Sequence, residues 1–264
     1  MVQQPGNSER LLKIERYVKI LNWLKEREGK GRISDLSDIL QVSPITVRRD
    51  VAELARQGLV QATRGGVMLL QSSATFEPIY HAKLNEEADA KERIARYAVS
   101  QIRDGDTILL DGGTTVGAMA KHLLGRNLTV VTNALNVINV LSNDRGIHLI
   151  AIGGMFRGTS QTFLGPLANR VLQELRVDKS YLGTEGFSPQ RGFEVPDGDD
   201  ASFKQVAVEA CDSVWVLATH SKYNQIRLHR FSSWNGITGL ITSQGLTVAA
   251  LKQFEELRLK VVTV

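Results

Sequence analysis

The chain has 264 residues, of which 42% are hydrophobic and 23% are charged. This composition is that of an ordinary globular protein, and it excludes a disordered chain, a collagen-like repeat and a coiled-coil rod. The formal net charge is +4, and all of it lies near the N-terminus: residues 1–75 carry 12 basic and 8 acidic side chains, whereas residues 76–264 carry 20 of each. A basic head before a neutral body indicates a polyanionic partner for the head, although so small a surplus also fits a role in solubility alone.

Cys211 is the single cysteine, so an internal disulfide and a cysteine metal cluster are both excluded. The first ten residues lack the apolar core of a signal peptide, and no run approaches the roughly 18 apolar residues of a membrane span. We therefore expect a cytoplasmic protein with no membrane partner.

Three helices are predicted in the basic head. Apolar residues recur at helical spacing over residues 9–27, and a shorter second helix follows with Ser34 as its candidate N-cap. After a break at residues 41–43, a third helix starts at Pro44, is capped by Ser43 and ends before Gly58. Two short helices joined by a tight turn form a helix-turn-helix.

The third helix has an apolar stripe over residues 47–54, and the opposite face carries Arg49, flanked by Thr46 and Arg48. An arginine at the N-terminal end of a recognition helix can bond guanine bidentately in the major groove of DNA. The alternative is a solvated basic face in which the two arginines pair with Asp50 or Glu53.

A β-hairpin is predicted directly after this helix. Residues 59–63 and 67–70 read as strands, and Arg64-Gly65-Gly66 reads as the turn between them. A hairpin in this position is a wing, with Arg64 at its tip beside the DNA phosphates.

The sequence Val-Ser-Pro-Ile-Thr-Val-Arg-Arg-Asp at residues 42–50, followed by Gly-Leu-Val at 58–60 and Arg-Gly-Gly at 64–66, closely resembles the N-terminal signature of the bacterial DeoR-type transcriptional repressors. The resemblance implies an operator-binding repressor. Its DNA-contacting residues are expected to be Ser43, Pro44, Thr46, Arg48, Arg49 and Arg64. One head reads only a half-site, so we expect a homodimer or homotetramer.

Residues 71–85 lose periodicity and contain Ser, Thr and Pro, which predicts a linker between a winged helix-turn-helix domain, residues 1–70, and a second domain, residues 86–264. The second domain starts with a helix over residues 86–102. Seven short apolar segments then alternate with helical stretches, which predicts an α/β fold with a mainly parallel sheet covered on both faces. The predicted strands are Ile108–Leu110, Leu128–Val131, His148–Ile152, Ser180–Leu182, Val214–Leu217, Gly239–Ile241 and Lys260–Val262.

Small and polar residues follow most of these strands. Because ligands bind at the carboxyl ends of the strands of an open parallel sheet, this edge is the predicted pocket. The Gly113-Thr114-Thr115 segment opens a helix and could hold a phosphate, or could be only a tight turn and a cap. It matches neither a Walker loop nor a dinucleotide fingerprint, so we expect no nucleotide cofactor.

The body also resembles the sensor domain of the DeoR-type repressors, which is similar in fold to sugar-phosphate isomerases and typically binds a phosphorylated sugar that releases the repressor from its operator. The resemblance departs at Thr219, where the family commonly has Asp, and at Asp200-Ala201, where it commonly has Glu-Ala. Loss of the carboxylate at 219 removes an expected partner for Lys222 or for a sugar hydroxyl. The predicted effector residues are Asp111, Gly113, Thr114, Thr115, Asn133, Gly153, Gly154, Glu185, Lys204 and Lys222.

The sequence is also compatible with an enzyme and with a metal site. Asp111, Glu185, Asp200, Lys204 and Lys222 could provide the acid–base pairs of an active sugar-phosphate isomerase that carries a DNA-binding head. The acidic run at residues 197–200 could hold a hard metal ion, but a solvated loop is the preferred interpretation. The histidines lack metal-ligand spacing and no nucleophilic triad is visible, so we expect neither a metal site nor a catalytic one.

Overall fold

A computed structural model describes residues 13–27, 29–56, 59–70, 74 and 77–264. The predicted start of the first helix at residues 9–12 and the predicted helix end at Gly58 lie outside the described residues. The chain forms two compact units, Met1–Ala82 and Lys83–Val264.

The first unit is the predicted winged helix-turn-helix. Its helices are α1 (Lys13–Lys25), α2 (Ile33–Leu40) and α3 (Pro44–Arg56), and its antiparallel sheet has the order β1-β3-β2, with β1 at Lys30–Arg32, β2 at Val60–Thr63 and β3 at Gly66–Leu69. Val47, Val51 and Leu54 are buried as the helical pattern predicts. Strand β1 was not predicted, because a three-residue strand with two charged side chains carries no apolar signal.

The cap prediction for α2 is wrong. The residue that precedes α2 is Arg32, with extended backbone, and Ser34 lies inside the helix, where its hydroxyl donates to the carboxylate of Asp35. The helix ends at Gln41, whose φ of 53° places it in the left-handed region that terminates helices.

Helices α1 and α3 are joined by a buried ion pair. The guanidinium of Arg16 donates from Nε to Asp50 Oδ2 at 2.7 Å and from a terminal nitrogen to Oδ1 at 3.1 Å. Asp50 is 1% exposed, and the pair raises the pKa of Arg16. This bidentate contact fixes α3 against the rest of the head.

Helix α4 (Tyr80–Leu84) lies within the segment predicted to be a linker, and Ile79, Tyr80 and Ala82 are buried. It is followed by α5 (Ala88–Ser100), which corresponds to the predicted helix over residues 86–102.

The second unit is built on the predicted parallel sheet, and all seven predicted strands are present. They are β4 (Thr107–Leu110), β5 (Leu128–Thr132), β6 (Ile147–Ala151), β9 (Val177–Gly183), β12 (Cys211–Ala218), β14 (Gly239–Thr242) and β15 (Lys260–Thr263). The order is β15-β14-β12-β9-β4-β5-β6, with every neighbouring pair parallel. From β4 the chain builds outward to one side through β5 and β6, and then returns to the other side at β9. The point between β4 and β9 is therefore where the strand order reverses.

Helices cover both faces of the sheet and form a separate apolar core on each. They are α5, α6 (Thr114–Gly117), α7 (Leu135–Leu141), α8 (Pro166–Gln173), α9 (Gly198–Ala210) and α10 (Val248–Glu256). Two small antiparallel sheets were not predicted: the hairpin of β7 (Met155–Arg157) and β8 (Thr162–Leu164), and the sheet of β10 (Gly186–Ser188), β11 (Gly192–Val195) and β13 (His229–Ser232). Among the described residues, none of the helices combines the length and apolar character needed to cross a membrane.

Candidate functional site

The N-terminal end of α3 has the predicted cap. The hydroxyl of Ser43 accepts a hydrogen bond from the backbone N–H of Thr46 at 3.2 Å, and Pro44 is the first helical residue. Ser43 and Pro44 are exposed, and Ile45 is 69% exposed although it is apolar. The cap therefore defines the start of the helix while leaving its first turn open to a partner.

Arg48 and Arg49 are exposed, and neither has a carboxylate within salt-bridge distance among the described residues. Asp50 is taken by Arg16, and Glu53 pairs with Arg56 at the other end of the helix. The alternative interpretation, in which these two arginines pair with Asp50 or Glu53, is wrong. Both guanidinium groups are available to an external anion or to a base edge.

The wing adds a second basic surface. Arg64 is exposed at the turn between β2 and β3, beside Gly65, whose φ of 82° a glycine adopts without strain. A groove of about 440 Å³ runs between this turn and β1, and Arg27, Lys30 and Arg32 line it together with Arg64. The sequence analysis missed Lys30 and Arg32, because their proximity to the wing depends on the pairing of β1 with β3.

Asp111 lies at the point where the strand order of the large sheet reverses. It is the first residue after β4, and its Oδ2 accepts the backbone N–H of Gly183, the last residue of β9, at 3.0 Å. The same oxygen accepts the ammonium of Lys204 from α9. Asp111 is fully buried, and its Oδ1 has no hydrogen-bond partner among the described residues.

Lys204 is held between two carboxylates. In addition to Asp111, it pairs with Asp200 at 3.1 Å, one helical turn earlier in α9. Burial opposes the charge of Lys204, but the two carboxylates outweigh burial and raise its pKa above the ordinary value. Lys204 is only 3% exposed, so it holds α9 to the strand ends and is not a freely available cation.

The acidic run at residues 197–200 is not a solvated loop. Asp197 is the N-cap of α9, where its carboxylate accepts the backbone N–H of Asp200 at 2.9 Å, and Asp199 and Asp200 lie in the first helical turn. Acidic residues are favoured there by the helix dipole. Among the described residues, no group of His, Cys, Asp and Glu side chains could hold a metal ion.

Glu185 and Lys222 form the second polar centre. The carboxylate of Glu185 accepts Lys222 at 2.7 Å on one oxygen and Lys83 at 2.6 Å on the other. Burial disfavours the charge of Glu185, but the two lysines outweigh burial and hold its pKa far below the usual range. Lys222 therefore has a carboxylate partner even though position 219 is Thr. Sequence reasoning missed Lys83, which is 102 residues from Glu185 in the chain.

Lys91, from α5, joins this cluster and was also missed. Its side chain is buried, and its ammonium donates to the backbone carbonyl of Lys83. Among the described residues, no carboxylate lies within salt-bridge distance of it. Burial lowers the pKa of Lys91 to about 8, and the nearby charges of Lys222 and Lys83 act in the same direction, while Glu86 and Glu87 oppose it.

Gly113, Thr114 and Thr115 follow Asp111 as predicted. Gly113 has a φ of 103°, and α6 begins at the next residue. The N–H groups of a first helical turn have no partners within the helix, so this turn presents donors at the carboxyl edge of the sheet. With only four residues, α6 adds donors rather than a strong dipole.

The remaining predicted residues lie further along the sheet. Asn133 follows β5, and its amide donates to the carbonyl of Phe163 in β8, which fixes the β7–β8 hairpin there. Gly153 and Gly154 follow the edge strand β6, and a Cβ on Gly154 would lie 2.6 Å from the carbonyl oxygen of Leu164. Since β6 is four strands from β12, the two glycines start about 19 Å from the strand that leads to Lys222. One small ligand does not reach both.

Comparison with known proteins gives two family matches. A family model described as the DeoR C terminal sensor domain matches residues 86–244, and one described as the DeoR-like helix-turn-helix domain matches residues 16–73.

Curated relatives match along most of their length. The chain is 32% identical over 254 residues to the uncharacterised HTH-type transcriptional regulator YulB of Bacillus subtilis, covering 96% of this chain and 98% of that one. It is 34% identical to the HTH-type transcriptional repressor GlcR of the same organism, covering 87% and 88%. It is 30% identical to the putative aga operon transcriptional repressor of Escherichia coli O157:H7, covering 95% and 93%.

Among solved structures, ribose 5-phosphate isomerase A of Methanocaldococcus jannaschii matches with a TM-score of 0.39 and 16% identity, over 52% of this chain and 55% of that one. The chain thus spans about half the length of that structure.

Replacement of Lys204 by Met is expected to destabilise the second unit by about 3–5 kcal/mol, because it leaves the buried carboxylate of Asp111 without its cation. Chemical denaturation measures the loss. Asp104→Asn, which breaks the largely exposed pair between Asp104 and Arg126, is the control and is expected to cost less than about 1 kcal/mol. A similarly small loss for Lys204→Met contradicts a structural role for the pair.

Proposed function

The chain belongs to the DeoR family of helix-turn-helix transcriptional regulators, and from this premise we propose that it represses genes of sugar or carbohydrate metabolism and is released from its operator by a phosphorylated sugar. In this proposal the head, residues 1–70, binds DNA, residues 71–85 act as a linker, and residues 86–264 bind the effector. The name of one relative, the lactose phosphotransferase system repressor of Staphylococcus epidermidis, supports a role in sugar metabolism.

Two unpaired guanidinium groups at the open end of α3 carry the DNA-binding part of the proposal. Arg48 and Arg49 are positioned to read base edges in the major groove, and Ser43, Pro44 and Thr46 to approach the phosphates at the helix start. Arg64 contacts the phosphate backbone of DNA from the wing. Lys30 and Arg32, on the same groove as Arg64, extend this phosphate-binding surface.

One observation carries the effector part: Lys91 is a buried ammonium whose hydrogen-bond acceptor is a backbone carbonyl. Burial of a cation without a paired carboxylate is costly, and a bound phosphate removes that cost. Lys222 and Lys83 lie in the same cluster around Glu185, and their charges add to the positive potential near Lys91. The proposed site is completed by donors from Gly113, Thr114 and Thr115.

The enzyme alternative is not favoured. A general acid or base works best with a pKa near the operating pH. In this protein the pKa of Glu185 is shifted far below neutrality and that of Lys204 far above it, each by ion pairs that fix its charge. Their charges are fixed by internal ion pairs, which suits a structural role beside a binding site. We propose a binding site that needs no cofactor.

The proposed regulator acts in the cytoplasm, on operator DNA, as at least a dimer. One head presents one recognition helix and one wing, which read a half-site, and two half-sites require two copies.

A thermal-shift screen tests the effector part directly. Glucose 6-phosphate, fructose 6-phosphate, galactosamine 6-phosphate, ribose 5-phosphate and the matching free sugars are added to the full-length protein. A specific ligand stabilises the folded state by an amount that rises with the logarithm of its concentration above Kd. We expect at least one phosphorylated sugar to raise the melting temperature while its free sugar does not. The absence of any shift from a phosphorylated compound contradicts the proposed effector class.

Arg49→Ala is expected to weaken binding to DNA selected by the wild-type protein from a random pool by about 5- to 150-fold, since one bidentate base contact contributes about 1–3 kcal/mol. Gel-shift titration measures the affinity. Arg170→Ala, which removes an exposed positive charge from α8 in the other unit, is the control and leaves binding unchanged. Equal effects of the two variants contradict the recognition-helix assignment.

Lys222→Ala is expected to keep DNA affinity but to prevent release by the sugar phosphate found in the screen. The variant loses a phosphate-binding ammonium, while Glu185 keeps Lys83 as its partner. Release is followed by fluorescence anisotropy of labelled DNA. Lys252→Ala, an exposed lysine on α10, serves as the control. Normal release of Lys222→Ala locates the effector elsewhere.

Affinity for the sugar phosphate is expected to fall as the pH rises through about 8, because Lys91 then loses the proton that a phosphate favours. Phosphate monoesters are already ionised above about pH 7, so the fall in affinity reports the deprotonation of Lys91. Calorimetric titrations from pH 7 to 9.5 should show a loss approaching tenfold per unit above the pKa. Lys91→Arg, which stays charged throughout, should flatten the profile; an unchanged slope in this variant rules Lys91 out as the cause.

A further inference from the structure

Glu87 brings a carboxylate to the end of β12 from a distant part of the chain. It precedes α5 and has a φ of 50°, in the left-handed region that few non-glycine residues adopt. Its Oε2 accepts the hydroxyl of Thr219 at 2.7 Å and the hydroxyl of Ser221 at 2.6 Å. These hydroxyls belong to the turn that also carries Lys222. Glu87 therefore stands beside position 219, where the side chain itself has no carboxylate.

Among the described residues, no hydrogen bond reaches the other oxygen of this carboxylate. The hydroxyls of Thr219 and Ser221 both contact Oε2 and lie 2.9 Å from each other, and the nearest charged or ionisable nitrogen to Oε1 is Nδ1 of His220 at 3.7 Å, beyond hydrogen-bonding distance. Nδ1 of His220 itself lies 3.0 Å from the hydroxyl of Ser243. The Glu87 side chain is 32% exposed, so Oε1 can accept a hydrogen bond from a ligand.

Glu87 is ionised under ordinary conditions. Partial burial raises its pKa, but the hydrogen bonds from Ser221 and Thr219 and the charges of His220 and Lys91 lower it, and the net shift is downward. Holding one carboxylate oxygen with two donors also restricts the rotation of the side chain. The acceptor is thus both charged and fixed in direction.

Glu87 is close enough to the lysine cluster for the charge of Lys91 to lower the pKa of its carboxylate. Lys91 lies one helical turn after Glu87 on α5, and Lys222 directly follows Ser221. A site that places ammonium groups next to a carboxylate acceptor matches a ligand with an anionic end and a hydroxyl-bearing end. A bare phosphate gains nothing from Glu87 and is repelled by its charge.

We propose that Glu87 is a specificity-determining residue of the effector site, whose carboxylate accepts a hydrogen bond from a hydroxyl group of the phosphorylated sugar, and that Thr219 and Ser221 position it. The inference rests on the proposed function, because it requires the lysine cluster to bind the phosphate of the same molecule. It assigns the selection of the sugar to Glu87 and the capture of the phosphate to the lysines.

The test uses the full-length protein and two ligands, the sugar phosphate that binds best in the thermal-shift screen and inorganic phosphate, each titrated by calorimetry. Glu87→Gln is expected to weaken the binding of the sugar phosphate at least about tenfold, because a hydrogen bond to a charged group is lost. Inorganic phosphate should bind equally well or more tightly. Ser221→Ala, which removes one positioning donor, should give a smaller loss of about threefold. Asp89→Asn, an exposed carboxylate on the same helix, is the matched control and should behave as wild type.

A compensating variant sharpens the test. Because Thr219 Oγ1 lies 2.7 Å from the carboxylate, Thr219→Asp combined with Glu87→Gln returns a carboxylate to the same place and should recover most of the sugar-phosphate affinity. Thr219→Asp alone sets two carboxylates against each other and should not improve binding.

Unchanged sugar-phosphate affinity in Glu87→Gln overturns the inference. An equal loss of affinity for the sugar phosphate and for inorganic phosphate also overturns it, because it indicates a structural role for Glu87. Failure of the wild-type protein to bind any phosphorylated sugar of the panel is a different result: it overturns the proposed effector class and this role of Glu87 together.

Discussion

The carboxylate of Asp111 is the contact on which the candidate site of the second unit depends. It lies where the strand order reverses, and one of its oxygens receives both the N–H of Gly183 and the ammonium of Lys204. These two contacts join the ends of β4 and β9 to helix α9. A crevice at a reversal of strand order is where open parallel sheets bind ligands, because the connections that follow the two neighbouring strands leave in opposite directions there. The buried ion pair fixes α9 to the strand ends at this point.

The two units use positive charge in different ways, and burial explains the difference. In the head, Arg48 and Arg49 are exposed to solvent, so they can remain without a carboxylate partner at little cost. In the body an unpaired buried charge is expensive, and Lys83, Lys204 and Lys222 each have a carboxylate partner. The neutral net charge of residues 76–264 is consistent with this pairing. Lys91 is the exception among the buried lysines described, and burial lowers its pKa.

Sequence patterns predicted the strands, helices and caps that are determined by residues close together in the chain. Seven apolar segments, the helical stripe of α3 and the Ser43 cap were all found because each depends on a few adjacent residues. The same reasoning failed where partners are far apart. Lys83 and Glu185 are 102 residues apart, and Thr219 and Glu87 are 132 apart, so no spacing links them. The acidic run at the start of α9 was predicted to be a loop because its composition fits one, and only the hydrogen bond from the N–H of Asp200 to Asp197 identifies Asp197 as a helix cap.

The substitution at position 219 illustrates why a site should be compared by the position of its chemical groups and not by aligned residues. Read along the sequence, Thr219 removes a carboxylate from the family pattern and leaves Lys222 without its expected partner. In three dimensions Lys222 pairs with Glu185, and the carboxylate of Glu87 lies within 2.7 Å of the Thr219 hydroxyl. A threonine at 219 is compatible with Glu87, because its hydroxyl donates to that carboxylate, whereas an aspartate would repel it. A carboxylate is thus present at the end of β12 although position 219 is threonine, and it comes from the residue that precedes α5. In the proposed site this carboxylate contacts a sugar hydroxyl, while the lysines hold the phosphate.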